Sequence, residues 1–299
     1  KPIAPSCSHI KLMFVQRTHH KSDTGGIAMA EFLPLKEAVS KYINSGDTVA
    51  MEGFTHLIPF AAGHEIIRQE KRDLTLIRMT PDLVYDQMIG AGCAKKLIFS
   101  WGGNPGVGSL HRLRDAVEKG WPNQLEILEH SHAAMANAYE AGAAGLPLAV
   151  LRGYVGSDLP KVNDQIKFIE CPFTGERLAA VPSIRPDVAV IHAQRADRKG
   201  NVLIEGIVGI QKEVVLAAKR SIVTVEEIVD DLGASVNACV LPSWAITAIA
   251  EAPKGARPSY ALGYYDRDNA FYKDWDGIAR DREAFQAWLK ENIFEKGAA

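Results

Sequence analysis

Residues 46–56 read Gly46-Asp47-Thr48-Val49-Ala50-Met51-Glu52-Gly53-Phe54-Thr55-His56, a polar turn, a short apolar run and a glycine-containing loop with polar side chains. The apolar run has the composition of a buried strand, and so do Leu74-Thr75-Leu76-Ile77 and Lys96-Leu97-Ile98-Phe99. Helix-like segments separate and follow these strands at 60–70, 82–89 and 109–119. The first starts after Pro59, the second stops at Gly90, and the third opens on Ser109 as an N-cap and closes at Gly120. Leu125-Glu126-Ile127-Leu128 supplies a further strand, and an alanine-rich helix over 133–144 ends near Gly145. The alternation predicts an α/β fold: a mostly parallel open sheet with helices on both faces.

The second half adds an antiparallel excursion. Val188-Ala189-Val190-Ile191 and Asn201-Val202-Leu203-Ile204 flank the polar turn 195–200, as in a hairpin. A helix near 211–219 and the strand Ile222-Val223-Thr224-Val225 resume the alternation. Residues 253–278, rich in tyrosine, phenylalanine and tryptophan, read as irregular, and 281–293 as a final amphipathic helix carrying Phe285, Trp288 and Leu289. Arg112, Arg114 and Asp115 read as a solvated helix face, and Arg280-Asp281-Arg282-Glu283 as surface ion pairing.

With 34 basic and 36 acidic side chains in 299 residues, the net charge of −2 provides no global cationic field for nucleic acid or anionic lipid. A 47% hydrophobic content with 23% charged residues excludes wholesale disorder. No apolar run approaches the roughly 18 residues of a membrane span. Cys7, Cys93, Cys171 and Cys239 form no C-x-x-C pair, so they read as reduced thiols of a cytoplasmic protein.

The first 28 residues carry Lys1, Lys11, Arg17 and Lys21 against a single acid, Asp23. The helical spacing of Leu35, Ala38, Val39 and Tyr42 begins only after Met29. Residues 1–28 are therefore expected to be an N-terminal extension outside the fold, with an organellar presequence as the alternative, and 29–299 to be a single domain.

Parallel sheets bind ligands at the carboxyl ends of their strands, which directs attention to three loops. In the first, Gly53 lets the backbone approach a ligand, with Phe54, Thr55 and His56 beside it, although a plain capped turn explains the same residues. The second, Gly102-Gly103-Asn104-Pro105-Gly106-Val107-Gly108, has four glycines in seven residues and exposes backbone N–H groups to a carboxylate, oxyanion or phosphate. It fits neither a G-x-G-x-x-G nor a Gly-Lys-Ser/Thr pattern, which removes support for hydride transfer and nucleotide hydrolysis. The third, Glu129-His130-Ser131-His132, gathers acid–base and positioning groups between a strand and a helix, with an N-cap Ser131 flanked by exposed neighbours as the equal alternative.

Together with residues 46–54, the glycine loop, Val190-Ile191-His192-Ala193-Gln194-Arg195-Ala196-Asp197-Arg198-Lys199-Gly200-Asn201-Val202 and Ile222-Val223-Thr224-Val225-Glu226-Glu227 resemble class I coenzyme A transferases. Within that family the chain is similar to the A (alpha) subunits of the glutaconate CoA-transferase type, from residue 29 to about 294. The resemblance implies a CoA-transferase-like fold and movement of CoA from succinyl-CoA to 3-oxoadipate in aromatic-compound catabolism. It implies that the partner is a B (beta) subunit, that the assembly is an A2B2 heterotetramer, and that no cofactor is needed, because the CoA thioester is itself a substrate. The nucleophilic glutamate is expected on the B subunit. Residue by residue, the resemblance leaves supporting catalytic roles to Glu129 and His132, and substrate binding to Gly53, Phe54, Thr55, His56, Gly102, Gly103, Asn104, Gly106, His130 and Ser131, with the amides near Gly103 and Asn104 receiving an acyl carboxylate or oxyanion. One departure stands out: Glu52-Gly53-Phe54-Thr55 replaces the G-G-F-G turn of succinyl-CoA:3-ketoacid enzymes.

Two alternatives compete. A ring-cleaving hydrolase of CoA thioesters in steroid degradation on the same scaffold makes Glu129 a principal catalytic group. A non-catalytic effector-binding module is opposed by the lack of a helix-turn-helix segment or basic patch.

Overall fold

In a computed structural model, which describes residues 30–105 and 107–295, the chain is organised by a ten-stranded sheet. Its main path runs β1 (Glu31–Phe32), β13 (Ala248–Glu251), β11 (Arg220–Val229), β9 (Val188–Asp197), β2 (Thr48–Glu52), β3 (Leu74–Arg78), β4 (Ala94–Phe99), β5 (Glu126–Glu129), and every neighbouring pair on it is parallel. The expected hairpin is present: β10 (Val202–Ile204) folds back antiparallel on the end of β9 and pairs in turn with β12 (Cys239–Leu241).

The central strands are buried on both faces, and their alternating side chains divide between two cores. Val49, Met51, Leu76, Val188, Val190 and Ile222 face α1 (Leu35–Tyr42), α2 (Phe60–Arg68), α3 (Leu83–Gly90), α8 (Asn269–Arg280) and α9 (Arg282–Leu289). Ala50, Ile77, Ala189, Ile191 and Val223 face α5 (His132–Ala143) and α7 (Gln211–Ala217). Each fully buried aliphatic side chain contributes about 1.5–3 kcal/mol.

Several sequence expectations are corrected. Helix α4 (His111–Lys119) begins two residues after Ser109, and its N-cap position is Leu110, without a side-chain cap; Gly120 closes it at φ 67° as expected. Residues 253–278 are not wholly irregular, because α8 occupies their second half, capped by Asp268, which accepts the Phe271 N–H at 3.0 Å. The final helix stops at Leu289 and continues as a π-helical segment, Lys290–Glu295. A second sheet adds to the expected alternation: β6 (Leu148–Leu151), β8 (Arg177–Pro182) and β7 (Lys167–Glu170) pair antiparallel and cover α5.

The supposed solvated face of α4 is the seat of the C-terminal helices. Arg112 is 3% and Asp115 5% exposed. The Arg112 guanidinium lies 5.0 Å from the Trp121 ring centroid and donates to the Arg280 carbonyl at 3.2 Å. Arg282 grips Asp115 with two nitrogens at 2.6 and 3.0 Å, so this pairing is a tie between α4 and α9 rather than surface decoration. Deeper in, Trp275 donates its indole N–H to Asp86 at 3.0 Å, and burial pushes the Asp86 carboxyl up to about 6. Residues 1–28 lie outside the described residues. Among the described residues no helix is long and apolar enough to cross a membrane.

Candidate active site at the carboxyl edge of the sheet

Strand β2 ends in a buried acid. Glu52 is 3% exposed, and its Oε1 accepts the Met79 N–H at 3.0 Å and the Tyr139 hydroxyl at 3.1 Å. Burial pushes its pKa up to about 7 against the opposing pull of Arg78 and these two donors. Beside it, β3 ends in Arg78, 1% exposed, which donates to the Gly53 carbonyl at 2.8 Å and meets Asp82 at 3.4 Å. Burial raises the Asp82 carboxyl, with Arg78 opposing.

The loop after Glu52 folds back on itself. A Cβ on Gly53 would stand 2.6 Å from the Leu57 carbonyl oxygen, so only glycine fits, while Thr55 and Leu57 adopt left-handed φ values of 60° and 54°. This geometry leaves Phe54 and Thr55 exposed and buries His56, whose ring meets Tyr260 at a centroid distance of 4.8 Å. Burial pushes His56 down to about 4, so it is neutral at physiological pH.

Phe54 and Thr55 line a pocket of about 230 Å³. Ile58, Trp101 and Tyr272 complete its apolar wall, and Arg78, Asp82, Arg267, Thr80 and His132 supply polar groups. His132 opens α5, and its Nδ1 is 3.0 Å from Ser100 Oγ. Because the Ser100 hydroxyl donates its proton to the Met79 carbonyl at 2.6 Å, Nδ1 of His132 is the donor toward Ser100, and Nε2 is left for a ligand.

The structure separates the four residues of the third loop. His132 lines the pocket, whereas the Glu129 side chain is exposed and does not; the Glu129 main-chain carbonyl accepts from Asn163 at 2.7 Å. Ser131 is the N-cap of α5, accepting the Ala134 N–H at 3.1 Å. His130 is buried between the Tyr154 hydroxyl and the Asn163 amide, both at 3.3 Å, and lines a different cavity of about 170 Å³ under β8. Burial lowers its pKa.

The glycine loop works differently from expectation. The N–H of Gly103 donates to the Pro81 carbonyl of the β3–α3 turn at 3.2 Å and that of Asn104 to the Gly108 carbonyl at 2.9 Å, so these amides are spent on the main chain. A Cβ on Gly103 would stand 2.6 Å from the Trp101 ring, so this glycine makes room for Trp101 at the pocket, while Gly102 packs near Leu113. The buried Asn104 side chain donates to the Tyr272 carbonyl at 2.7 Å and fastens the loop to α8. Gly106 lies outside the described residues. Among the described residues no cluster of His, Cys, Asp and Glu is arranged to hold a metal ion.

Sequence reasoning missed Arg78, Asp82, Arg267 and Tyr272. Arg78 had a signal, since a charge ends the otherwise apolar run 74–77. Arg267 had none, because it lies far along the chain from Arg78.

An open parallel sheet with a pocket lined by cationic side chains at its carboxyl edge has the architecture of an α/β ligand-binding protein. Comparison with known proteins narrows the class. The model of the coenzyme A transferase family matches residues 33–252, and the chain belongs to that family. It is 74% identical over 265 residues to the A subunit of 3-oxoadipate CoA-transferase from Pseudomonas knackmussii, covering 89% of this chain and 94% of that protein. It is 36% identical over 287 residues to the A subunit of glutaconate CoA-transferase from Acidaminococcus fermentans, covering 89% of each. The crystal structure of glutaconate coenzyme A-transferase from that organism superposes with a TM-score of 0.83 at 35% identity, covering 89% of both chains. The crystal structure of a variant of the decarboxylase AibA/AibB superposes with a TM-score of 0.75 at 31% identity, covering 88% of this chain and 99% of that one.

Proposed function

We infer that this chain is the A subunit of a cytoplasmic CoA-transferase that moves CoA from succinyl-CoA to 3-oxoadipate in aromatic-compound catabolism, and that it forms an A2B2 assembly with a B subunit. The observation that carries the reading is a pocket that, among the described residues, carries cationic groups and no unpaired carboxylate. The lining carboxylate, Asp82, is engaged by Arg78, and Glu52 is not among the lining residues, its Oε1 accepting from Met79 and Tyr139. In this reading the site is half of an active site, with the reacting glutamate supplied by the partner.

The chemistry needs such a division. A partner glutamate attacks the acyl-CoA thioester carbonyl, CoA thiolate leaves, and an acyl-glutamyl anhydride forms; the thiolate then attacks the glutamyl carbonyl and releases the first acid. The acceptor carboxylate repeats the sequence in reverse. A carboxylate is a weak nucleophile in water, so an apolar pocket that excludes water and holds donors near the developing oxyanions lowers the barrier. In this chain Phe54, Thr55 and Trp101 form the wall against the acyl group, and His132 presents Nε2 to it. Gly53, Gly102, Gly103, Asn104 and Ser131 act by shaping the pocket, while His56 and His130 support it from within the fold. The hydrolase alternative is weakened, since it relied on Glu129, which stands outside the pocket.

Co-expression with the neighbouring gene's product and measurement of 3-oxoadipyl-CoA formed from succinyl-CoA tests the proposal. Transfer to 3-oxoadipate is expected; thioester hydrolysis or loss of carbon dioxide without transfer would sink it.

A further inference from the structure

Arg267 reaches the pocket from the segment that crosses the carboxyl edge of the sheet between β13 and α8. Its guanidinium is stacked 3.9 Å from the Tyr272 ring centroid and spends one nitrogen on the Pro105 carbonyl at 3.0 Å. The Nε of Arg267 is buried without a hydrogen-bond partner. No carboxylate among the described residues forms an ion pair with it, whereas the pocket's other cation, Arg78, is held by Asp82 and the Gly53 carbonyl. The lining thus sets two guanidinium groups against one carboxylate, Asp82, which is in direct contact with Arg78 and reaches Arg267 only through space. Its position is firm, because Asp268, the next residue, caps α8 and donates its own N–H to the Pro258 carbonyl at 2.9 Å.

A planar cation preset on an aromatic face, with only part of its five donors spent on Pro105 and Tyr272 and methylene-compatible walls of Phe54, Ile58 and Trp101 beside it, matches a carbon chain that ends in a carboxylate. We propose that Arg267 is the specificity-determining residue for the acyl group, receiving the distal carboxylate of a dicarboxylic acid while the other end reacts at the partner subunit. The assignment rests on the transferase reading and adds to it the residue that selects a dicarboxylate. A monocarboxylic acyl chain of equal length covers the guanidinium without giving it a partner, which costs binding because a charged donor is desolvated and left unpaired.

The test uses the assembled two-subunit enzyme and two acceptors, 3-oxoadipate and 3-oxohexanoate, which differ only in the distal carboxylate. With wild type, kcat/KM favours 3-oxoadipate. Arg267→Gln is expected to lower kcat/KM for 3-oxoadipate about 100-fold, the value of one charge-assisted paired contact, while changing 3-oxohexanoate less than about threefold. Arg267→Lys, which keeps the charge, recovers part of the preference. An equal fall for both acceptors, or an unchanged ratio, overturns the assignment while leaving the transferase reading intact. A wild-type complex that transfers CoA to neither acid overturns that reading and the assignment with it.

Discussion

Glu226 Oε1 lies 2.7 Å from Nε2 of His192, and the same carboxylate takes the Tyr265 hydroxyl and, through Oε2, the Lys254 N–H at 2.6 Å. One acid on β11 thereby holds both β9 and the crossing segment that carries Arg267 to the pocket. Burial works to raise the Glu226 pKa, but the bonds from His192, Tyr265 and the Lys254 N–H outweigh it and hold the carboxyl below its ordinary value of 4.5. A lowered folded value means stability that is present above 4.5 and lost as pH falls through the folded pKa. Glu226→Gln is expected to cost about 1.5–3 kcal/mol near neutral pH, the worth of hydrogen bonds to a charged group, and to flatten the loss of stability on acidification. Urea unfolding of both proteins near pH 7 and at acid pH measures it; parallel pH slopes would contradict the account.

Glu52 has the opposite sign. With its folded pKa at about 7 against 4.5 when unfolded, its contribution is fullest below 4.5 and is lost as pH rises through 7. Glu52→Gln keeps an acceptor for the Met79 N–H and the Tyr139 hydroxyl and removes the ionisation. The variant should exceed wild type in stability above pH 7 by up to about 3 kcal/mol, the free energy of that shift, with the gap closing toward acid pH. A variant less stable than wild type at both extremes would show that the charge on Glu52 is needed.

Gly53→Ala places a methyl group against the Leu57 carbonyl, a backbone atom that cannot swing aside. The loop must shift, moving Phe54 and Thr55 at the pocket, at a stability cost of about 1–3 kcal/mol. Melting temperature and acceptor KM should both move; an unchanged KM would mean that the loop does not shape the pocket.

His132 and Glu129 separate cleanly. His132→Ala removes a pocket group held by Ser100 and should lower kcat/KM about tenfold, the worth of one hydrogen bond. Glu129→Gln, outside the pocket, should stay within about threefold, and a larger fall would restore Glu129 to the chemistry.

Much of the architecture is legible locally. Short apolar runs, the proline before α2, the glycine closing α4 and the serine capping α5 each report a preference that spans a few residues. Helix α8 escaped because the tyrosines of residues 260–265, which belong to the crossing segment, mask the spacing of Tyr272, Trp275 and Ala279 on its buried face. The burial of Arg112 and Asp115 escaped because their cover, α9, arrives from a distant part of the chain.

The loop positions followed from the strand alternation, since side-chain periodicity and turn chemistry are short-range properties of the backbone. What those loops do depended on packing across the chain. The amides of Gly103 and Asn104 are claimed by carbonyls of their own neighbourhood, and Arg267 meets the acids and aromatics of α3 and α8 only after the crossing segment is laid over the sheet. Hydrogen bonds and charges act over a few ångströms of space regardless of sequence separation, so which polar group is spent and which is free is a property of the folded chain.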